Sequence, residues 1–209
     1  MRQESLALVR QLERAGIKCF VHGSVARGDV CPSSDIDVVI LEPIPSYRIE
    51  LAVGNWVRRE IVQATPSSVI KGHIHVDQNK VVSFPLVRAM TRETEFYRWG
   101  GLVNIEQLQR NERAPGVDKR LLFIEPTESG HIESGVIGYE HIVARKLGVS
   151  IGIANERVRV LLRRDQIGRT GVYLNHVLAE DENFEAAIRY LVDRDPAIRR
   201  TVERRSRRS

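Results

Sequence analysis

The sequence predicts an α+β fold, in which a mixed β-sheet with helices on one side is followed by a small helical module. Short apolar, β-branched runs alternate with helical segments up to about residue 115. After residue 117 the pattern changes to a hairpin followed by two helical segments. The composition, 42% hydrophobic and 28% charged, is that of a globular protein without a membrane-spanning apolar run.

Five strands and three helices are predicted in the first half from apolar periodicity and turn residues. In chain order they are helix 4–15, strand 17–22, strand 35–41, helix 47–55, strand 56–64, strands 69–76 and 80–87 around the turn Asp77-Gln78-Asn79, and helix 91–99. In the second half, the same patterns predict a hairpin around residues 127–130, helices 139–147 and 151–164, and a strand-like segment at 172–174.

The stretch HGSVARGDVCPSSDIDVVI, residues 22–40, contains the candidate metal-binding and phosphate-binding residues. Strand residues alternate between faces, so Asp35 and Asp37 project from one face while Ile36 and Val38 point into the core. Two neighbouring carboxylates repel each other and need a cation between them. Mg²⁺, or Mn²⁺ in its place, meets that need with oxygen ligands. The pattern therefore predicts a site for a divalent metal at the start of this strand.

At the end of the preceding strand, Gly23 lets the backbone approach a phosphate closely. Ser24 can cap the following turn while offering its hydroxyl and N–H to a triphosphate. The whole arrangement resembles the nucleotidyltransferase superfamily of DNA polymerase beta, the CCA-adding enzymes and the minimal nucleotidyltransferases, over about the first 65 residues. The matching residues are Gly23, Ser24, Gly28, Asp29, Asp35 and Asp37, with Ser34 just before the pair.

The resemblance implies in-line attack of a hydroxyl on the α-phosphate of a nucleoside triphosphate, with two metal ions held by carboxylates. It also implies a third carboxylate on a neighbouring strand, for which Glu60 is the first candidate and Asp77 the alternative. The implied catalytic and metal-binding set is thus Asp35, Asp37 and Glu60. Nucleotide-binding roles are implied for Gly23, Ser24, Arg27, Asp29 and Ser34, although an exposed Arg27 in a turn is equally well explained as a solvated side chain.

Residues 139–174 resemble a winged helix-turn-helix, with Ser150 as the cap of the second helix. The predicted buried stripe of that helix is Ile151, Ala154, Val158 and Leu162. The candidate nucleic-acid contacts are Arg159 and Arg163 on the outward face and Arg169 at the tip of the wing. Outward-facing Ile153 and Val160 do not suit a wet DNA groove, so RNA binding, docking and dimerisation stay open beside DNA binding.

The predicted organisation is a catalytic domain over 1–116, a winged helix over 117–180, and a helix with a basic, partly disordered tail over 181–209. Residues 189–209 hold eight arginines and three acidic residues, and apolar residues are scarce from Arg199 onward. From Arg199 onward we therefore expect a mobile tail whose binding to nucleic acid falls with salt. The absence of a secretory pattern and the presence of only two cysteines indicate a cytoplasmic protein.

Two functions are compatible with these patterns. The first is transfer of a nucleoside monophosphate from an NTP, with ATP as the expected donor, to a hydroxyl of an RNA end, a protein or a small molecule. The second is a winged-helix DNA-binding regulator whose inactive nucleotidyltransferase-like domain senses a nucleotide. The intact carboxylate pair favours the enzyme, because a sensor does not need paired metal ligands. A homodimer is also compatible with the sequence.

Overall fold

The computed structural model describes residues 1–168 and 171–206. Its helices are α1 (Arg2–Arg14), α2 (Ser24–Arg27), α3 (Ser46–Val53), α4 (Thr91–Trp99), α5 (Ile105–Gln109), α6 (Glu140–Leu147), α7 (Ile151–Ile167), α8 (Phe184–Arg194) and α9 (Pro196–Ser206). Its strands are β1 (Phe20–His22), β2 (Ile36–Val39), β3 (Arg58–Gln63), β4 (Ile70–His75), β5 (Lys80–Pro85), β6 (Leu102–Val103), β7 (Gly116–Val117), β8 (Leu122–Pro126), β9 (His131–Gly135) and β10 (Leu174–Val177).

The chain forms two compact units that are interleaved in sequence. The first contains Met1–Leu6, Phe20–Asp37 and Thr91–Thr170, and the second contains Ala7–Cys19, Val38–Met90 and Gly171–Ser209. Helix α1 and strand β2 each begin in the first unit and end in the second. The units therefore do not follow the linear boundaries that the sequence predicts, because segments distant in the chain build each core together.

In the first unit, β1 pairs antiparallel with β6 and is flanked by β2 on its other side. A separate antiparallel sheet has the order β7-β8-β9, and its predicted 127–130 turn is closed by hydrogen bonds between Thr127 and Gly130. Helices α6 and α7 follow as expected, joined by Gly148 in the left-handed conformation. The cap at Ser150 is also confirmed, since its hydroxyl accepts from the Ile153 N–H.

The buried stripe of α7 differs from the prediction. Ile153 and Leu161 are 1% and 7% exposed, whereas Ile151 and Leu162 are 47% and 37% exposed. Both α4 and α6 pack on this helix, so the buried face must be wide. That face contains adjacent pairs such as Ile153-Ala154 and excludes Ile151. Ile153 is thus a core residue, and the objection to nucleic-acid binding drawn from an outward Ile153 is removed.

In the second unit, the strand order is β10-β3-β4-β5, with the end of β2 beside β5. All three pairings from β10 to β5 are antiparallel. On the core face, Gly72 leaves room for Phe84 and Phe184, whose rings meet edge to face at 5.0 Å. The strand predicted at 172–174 as part of a wing forms at Leu174–Val177 and pairs with β3 instead. No wing is formed by this strand, and a winged helix is not established.

The Arg-rich segment is also more ordered than expected. Residues up to Ser206 form α9, in which Ile198 is completely buried and Thr201 and Arg205 are 2% and 5% exposed. The Thr201 hydroxyl donates to the Pro66 carbonyl and Arg205 donates to the carbonyls of Arg88 and Ser67. The prediction of a mobile tail from Arg199 is therefore wrong up to Ser206, because side chains of this helix bond to backbone carbonyls and are buried. Residues 207–209 lie outside the described part of the chain.

Within the described residues, no helix combines the length and apolarity needed to cross a membrane.

Candidate active site

The Gly-Ser turn is built by backbone conformation. Gly23 has a φ of +78°, which favours glycine, and its N–H donates to the Gly101 carbonyl at 3.1 Å. Gly23 is itself the N-cap of α2, and Ser24 is the first helical residue rather than the cap that the sequence suggested. The short helix ends at Gly28, whose N–H donates to the Ser24 carbonyl at 2.7 Å. Ser24 is therefore presented at the start of a single, tightly closed helical turn.

The two aspartates lie beside this turn. Ile36 and Val38 are 2% and 0% exposed, as alternation predicts, while Asp35 is exposed and Asp37 is half-buried. A β-carbon placed on Gly23 would lie 3.8 Å from Oδ2 of Asp37. The Asp37 carboxylate thus borders the backbone of the motif glycine, where a phosphate could approach closely.

The electrostatics of the pair favour a bound cation. Burial raises the pKa of Asp37 above its ordinary value, and the neighbouring Asp35 carboxylate raises it further. The ammonium of Lys119 acts in the opposite direction. Two neighbouring carboxylates, one of which opposes the ionisation of the other, are a donor set suited to Mg²⁺ or Mn²⁺. Lys119 was missed from the sequence, because it lies 82 residues from Asp37 with no motif between them.

Arg27 and Asp29 form a buried ion pair at 2.9 Å, with side chains 7% and 9% exposed. A second nitrogen of the Arg27 guanidinium donates to the Gly100 carbonyl. Arg27 is therefore neither the solvated turn residue nor the exposed phosphate ligand considered from the sequence. Instead, this pair anchors the loop that follows α2 to the Gly100-Gly101 segment.

Ser34 has a comparable local role. Its hydroxyl accepts from the Cys31 N–H at 2.9 Å, and its own N–H donates to the Cys31 carbonyl at the same distance. These two bonds close the turn that leads into Asp35. Ser34 therefore shapes the turn directly before the carboxylates.

Glu60 has different neighbours from those predicted. In the second unit it is 6% exposed, and its Oε1 lies 2.9 Å from Nε2 of His75 and 3.2 Å from a guanidinium nitrogen of Arg58. Strands β4 and β5 separate β3 from the end of β2 in this unit. Among the described residues, no group of three His, Cys, Asp or Glu side chains is placed to hold a metal ion. The expected cluster of three carboxylates is thus not found.

The alternative, Asp77, is engaged in its turn. One carboxylate oxygen accepts from the Asn79 N–H at 2.8 Å and the other pairs with Nζ of Lys80 at 2.8 Å. These contacts lower the pKa of Asp77. They explain its presence by turn formation alone, as the sequence allowed.

On α7, Arg159 and Arg163 are exposed, as predicted. Together with Val158 and Leu162 they line an open pocket of about 420 Å³. Arg169, the predicted contact at the wing tip, lies outside the described residues. Two exposed arginines and two apolar side chains of α7 thus line the same pocket.

A Gly-Ser turn opening a short helix, with an Asp-x-Asp pair beside that glycine, is the arrangement that the resemblance to nucleotidyltransferases led us to expect. Residues 3–97 match the family model of the nucleotidyltransferase domain. This match supports the nucleotidyltransferase superfamily for the segment that contains Gly23, Ser24, Asp35 and Asp37. No curated protein and no solved structure matches the chain.

Proposed function

We propose that this protein transfers a nucleoside monophosphate from an NTP, with ATP as the first donor to test, to a hydroxyl acceptor. The observation that carries the proposal is the Asp37 carboxylate beside the Gly23 backbone, with Asp35 close enough to oppose its ionisation. The family match supports a general NTP-transferring function for this segment. The same carboxylate pair supports the enzyme over a nucleotide-sensing regulator.

Each residue of the site has a distinct task in this proposal. Gly23 leaves the backbone open to the phosphates, and Ser24 offers its hydroxyl as a donor at the start of α2. Asp35 and Asp37 would hold the divalent metal, which when bound stabilises negative charge on the reacting phosphate and the leaving pyrophosphate. Arg27 and Asp29 position the loop without touching substrate. Glu60 is given no task in this proposal, because its carboxylate contacts His75 and Arg58.

The experiment is incubation of the protein with each α-labelled NTP, Mg²⁺ and total cellular RNA or protein. Asp35→Asn and Asp37→Asn should each lower transfer by about a thousandfold, the usual loss when electrostatic stabilisation of the reacting charge is removed. Asp77→Asn is the matched control and should transfer normally, because its carboxylate serves a turn. Glu60→Gln should likewise transfer normally, because the Glu60 carboxylate contacts His75 and Arg58. Normal transfer by Asp37→Asn would refute the proposed site.

The acceptor is tested in the same assay by the fraction that becomes labelled. Arg159 and Arg163 are proposed to hold a phosphodiester acceptor on the surface of α7. If RNA is labelled, replacing both by Gln should weaken transfer to RNA without changing transfer to a small hydroxyl acceptor. Equal loss with both acceptors would assign these arginines to the fold instead.

A further inference from the structure

A cavity of about 570 Å³ lies within the first unit, at the end of α2 that is opposite the Gly-Ser turn. Gly28, which ends α2, lines this cavity together with the exposed Val30. The other walls come from the first residue of α1, the segment after α5 and the turn between β8 and β9. Sites for small molecules have volumes of about 300–1,000 Å³. The cavity is therefore large enough for a small organic ligand.

Two guanidinium groups line this cavity, those of Arg2 and Arg113. Arg2 donates to the carbonyl of Glu112, the residue directly before Arg113. Arg113 itself donates to the Gly130 carbonyl at 2.9 Å and to the Thr127 carbonyl. These acceptors are main-chain carbonyls, so they hold the two guanidinium groups in place without neutralising their charges.

The positive charge of this pair is not balanced by a carboxylate. Among the ion pairs of residues 1–168 and 171–206, none includes Arg2 or Arg113. Two glutamates also line the cavity, but Glu112 pairs with Arg110 at 2.5 Å and Glu128 is exposed on its turn. Burial lowers the pKa of Arg2, and the charge of Arg113 lowers it further. The Nε of Arg2 is buried with no hydrogen-bond partner. The pair therefore has both the charge and the donors to bind an anion.

We propose that this cavity binds the phosphate group of a small phosphorylated ligand, held by Arg2 and Arg113. Two guanidinium groups match the charge of a phosphate dianion, and their planar sets of N–H donors suit its oxygens. Val30 and Pro126 offer apolar surface to the part of the ligand that carries the phosphate. Because the cavity and the Gly-Ser turn lie at opposite ends of α2, this site is separate from the proposed nucleotide site and does not depend on the proposed transfer.

The test measures binding in EDTA, without the metal that the proposed nucleotide site needs. Isothermal titration calorimetry is carried out with inorganic phosphate, ribose 5-phosphate and, as the control without a phosphate, ribose. The two phosphate-bearing probes should bind and should raise the midpoint of urea unfolding, and ribose should do neither. Tighter binding of ribose 5-phosphate would assign the cavity to a phosphate ester, and equal binding would assign it to free phosphate. A wild type that binds neither probe would overturn the proposal.

The variants test whether the two arginines hold the phosphate. Arg2→Gln and Arg113→Gln should each weaken binding about 10- to 100-fold, as expected for one charged contact. Arg10→Gln removes an exposed charge from the same helix as Arg2 and should bind like the wild type. Val30→Glu leaves both guanidinium groups intact and should weaken binding about fivefold by repulsion, whereas Val30→Gln should retain it.

Three results would contradict this assignment. Unchanged affinity in both arginine variants would mean that these side chains only fasten the loops around the cavity. Equal affinity of Val30→Glu and Val30→Gln would mean that the phosphate does not enter the cavity. Binding that requires Mg²⁺ would place the phosphate at the carboxylate pair instead. Urea unfolding of each variant without ligand verifies that the fold is retained, and the Val30 pair decides the question if an arginine variant does not fold.

Discussion

We expect that only glycine is tolerated well at position 28, for two reasons. Its backbone is in the left-handed conformation, and the Arg113 side chain occupies the space that a β-carbon would need. Gly28 has a φ of +90°, and a β-carbon there would lie 2.4 Å from Cδ of Arg113. That arginine cannot easily move, because its guanidinium donates to the Gly130 carbonyl at 2.9 Å and to the Thr127 carbonyl. Gly28→Ala must therefore displace a side chain that is held at its far end.

The magnitude follows from two contributions. The left-handed conformation costs a residue with a β-carbon about 1–2 kcal/mol, partly offset by the lower entropy of the unfolded chain. Displacing Arg113 disturbs two charge-assisted hydrogen bonds, for a further 1–3 kcal/mol or so. We expect Gly28→Ala to lower the free energy of unfolding by about 2–4 kcal/mol. Gly138→Ala is the matched control, at a φ of +84° with no atom within 4 Å, and should lose about 1 kcal/mol.

The assay is urea unfolding, with the free energy extrapolated to water and an unchanged m-value. The same two alanine substitutions are repeated in an Arg113→Ala background. There the excess cost of Gly28→Ala over Gly138→Ala should shrink to about 0.5 kcal/mol or less, the usual scatter for independent sites. If the two glycines cost the same in the wild type, or the excess survives without Arg113, the steric reasoning is refuted.

Three further predictions concern stability. In EDTA, Asp37→Asn should raise the midpoint of urea unfolding, because it removes a carboxylate whose ionisation the fold opposes; a lower midpoint would contradict this. Burial and the nearby Lys71 lower the pKa of His73 to about 4, so stability should be lost as pH falls from about 6.5 to 4, by about 2–3 kcal/mol. His73→Gln should lessen this loss. If the free energy of unfolding of His73→Gln depends on pH as it does in the wild type, His73 is not the cause of the loss. Ile198→Ala should lower the free energy of unfolding by about 2–4 kcal/mol, because Ile198 is completely buried. Arg200→Ala, at an exposed position of the same helix, should lower it by less than about 0.5 kcal/mol, and equal effects of the two substitutions would contradict the packing of α9.

The local parts of the site were predictable from the sequence because they depend on neighbouring residues. Alternation along β2 correctly separated Asp35 and Asp37 from Ile36 and Val38. A glycine next to a serine after a short strand likewise indicated the turn. Such local patterns are predictable because successive side chains of a strand point to opposite faces, so that the order of apolar and polar residues indicates which side chains are buried.

The parts that failed depend on which segments pair across the chain. The expectation for Glu60 assumed that the third strand in sequence lies beside the second, whereas β4 and β5 intervene. The mobile-tail prediction weighed the clustered arginines and the scarcity of apolar residues, and missed that Thr201 and Arg205 would be buried. The burial of Arg27 required its partner carbonyl at Gly100, 73 residues away. Periodicity carries no information about such distant partners.

The pairing of β10 with β3 affects how the second unit is made during synthesis. Residues 91–170 separate its first two segments from its last, and translating these 80 residues takes about 4–16 seconds. Throughout that interval β3 lacks the partner that covers one of its edges, and the N-terminus of α3 lacks the Glu185 carboxylate that binds Ser46. An uncovered strand edge is a template for pairing between chains. The nascent protein thus passes through a period of aggregation risk that ends only when residues 174–185 reach β3 and α3.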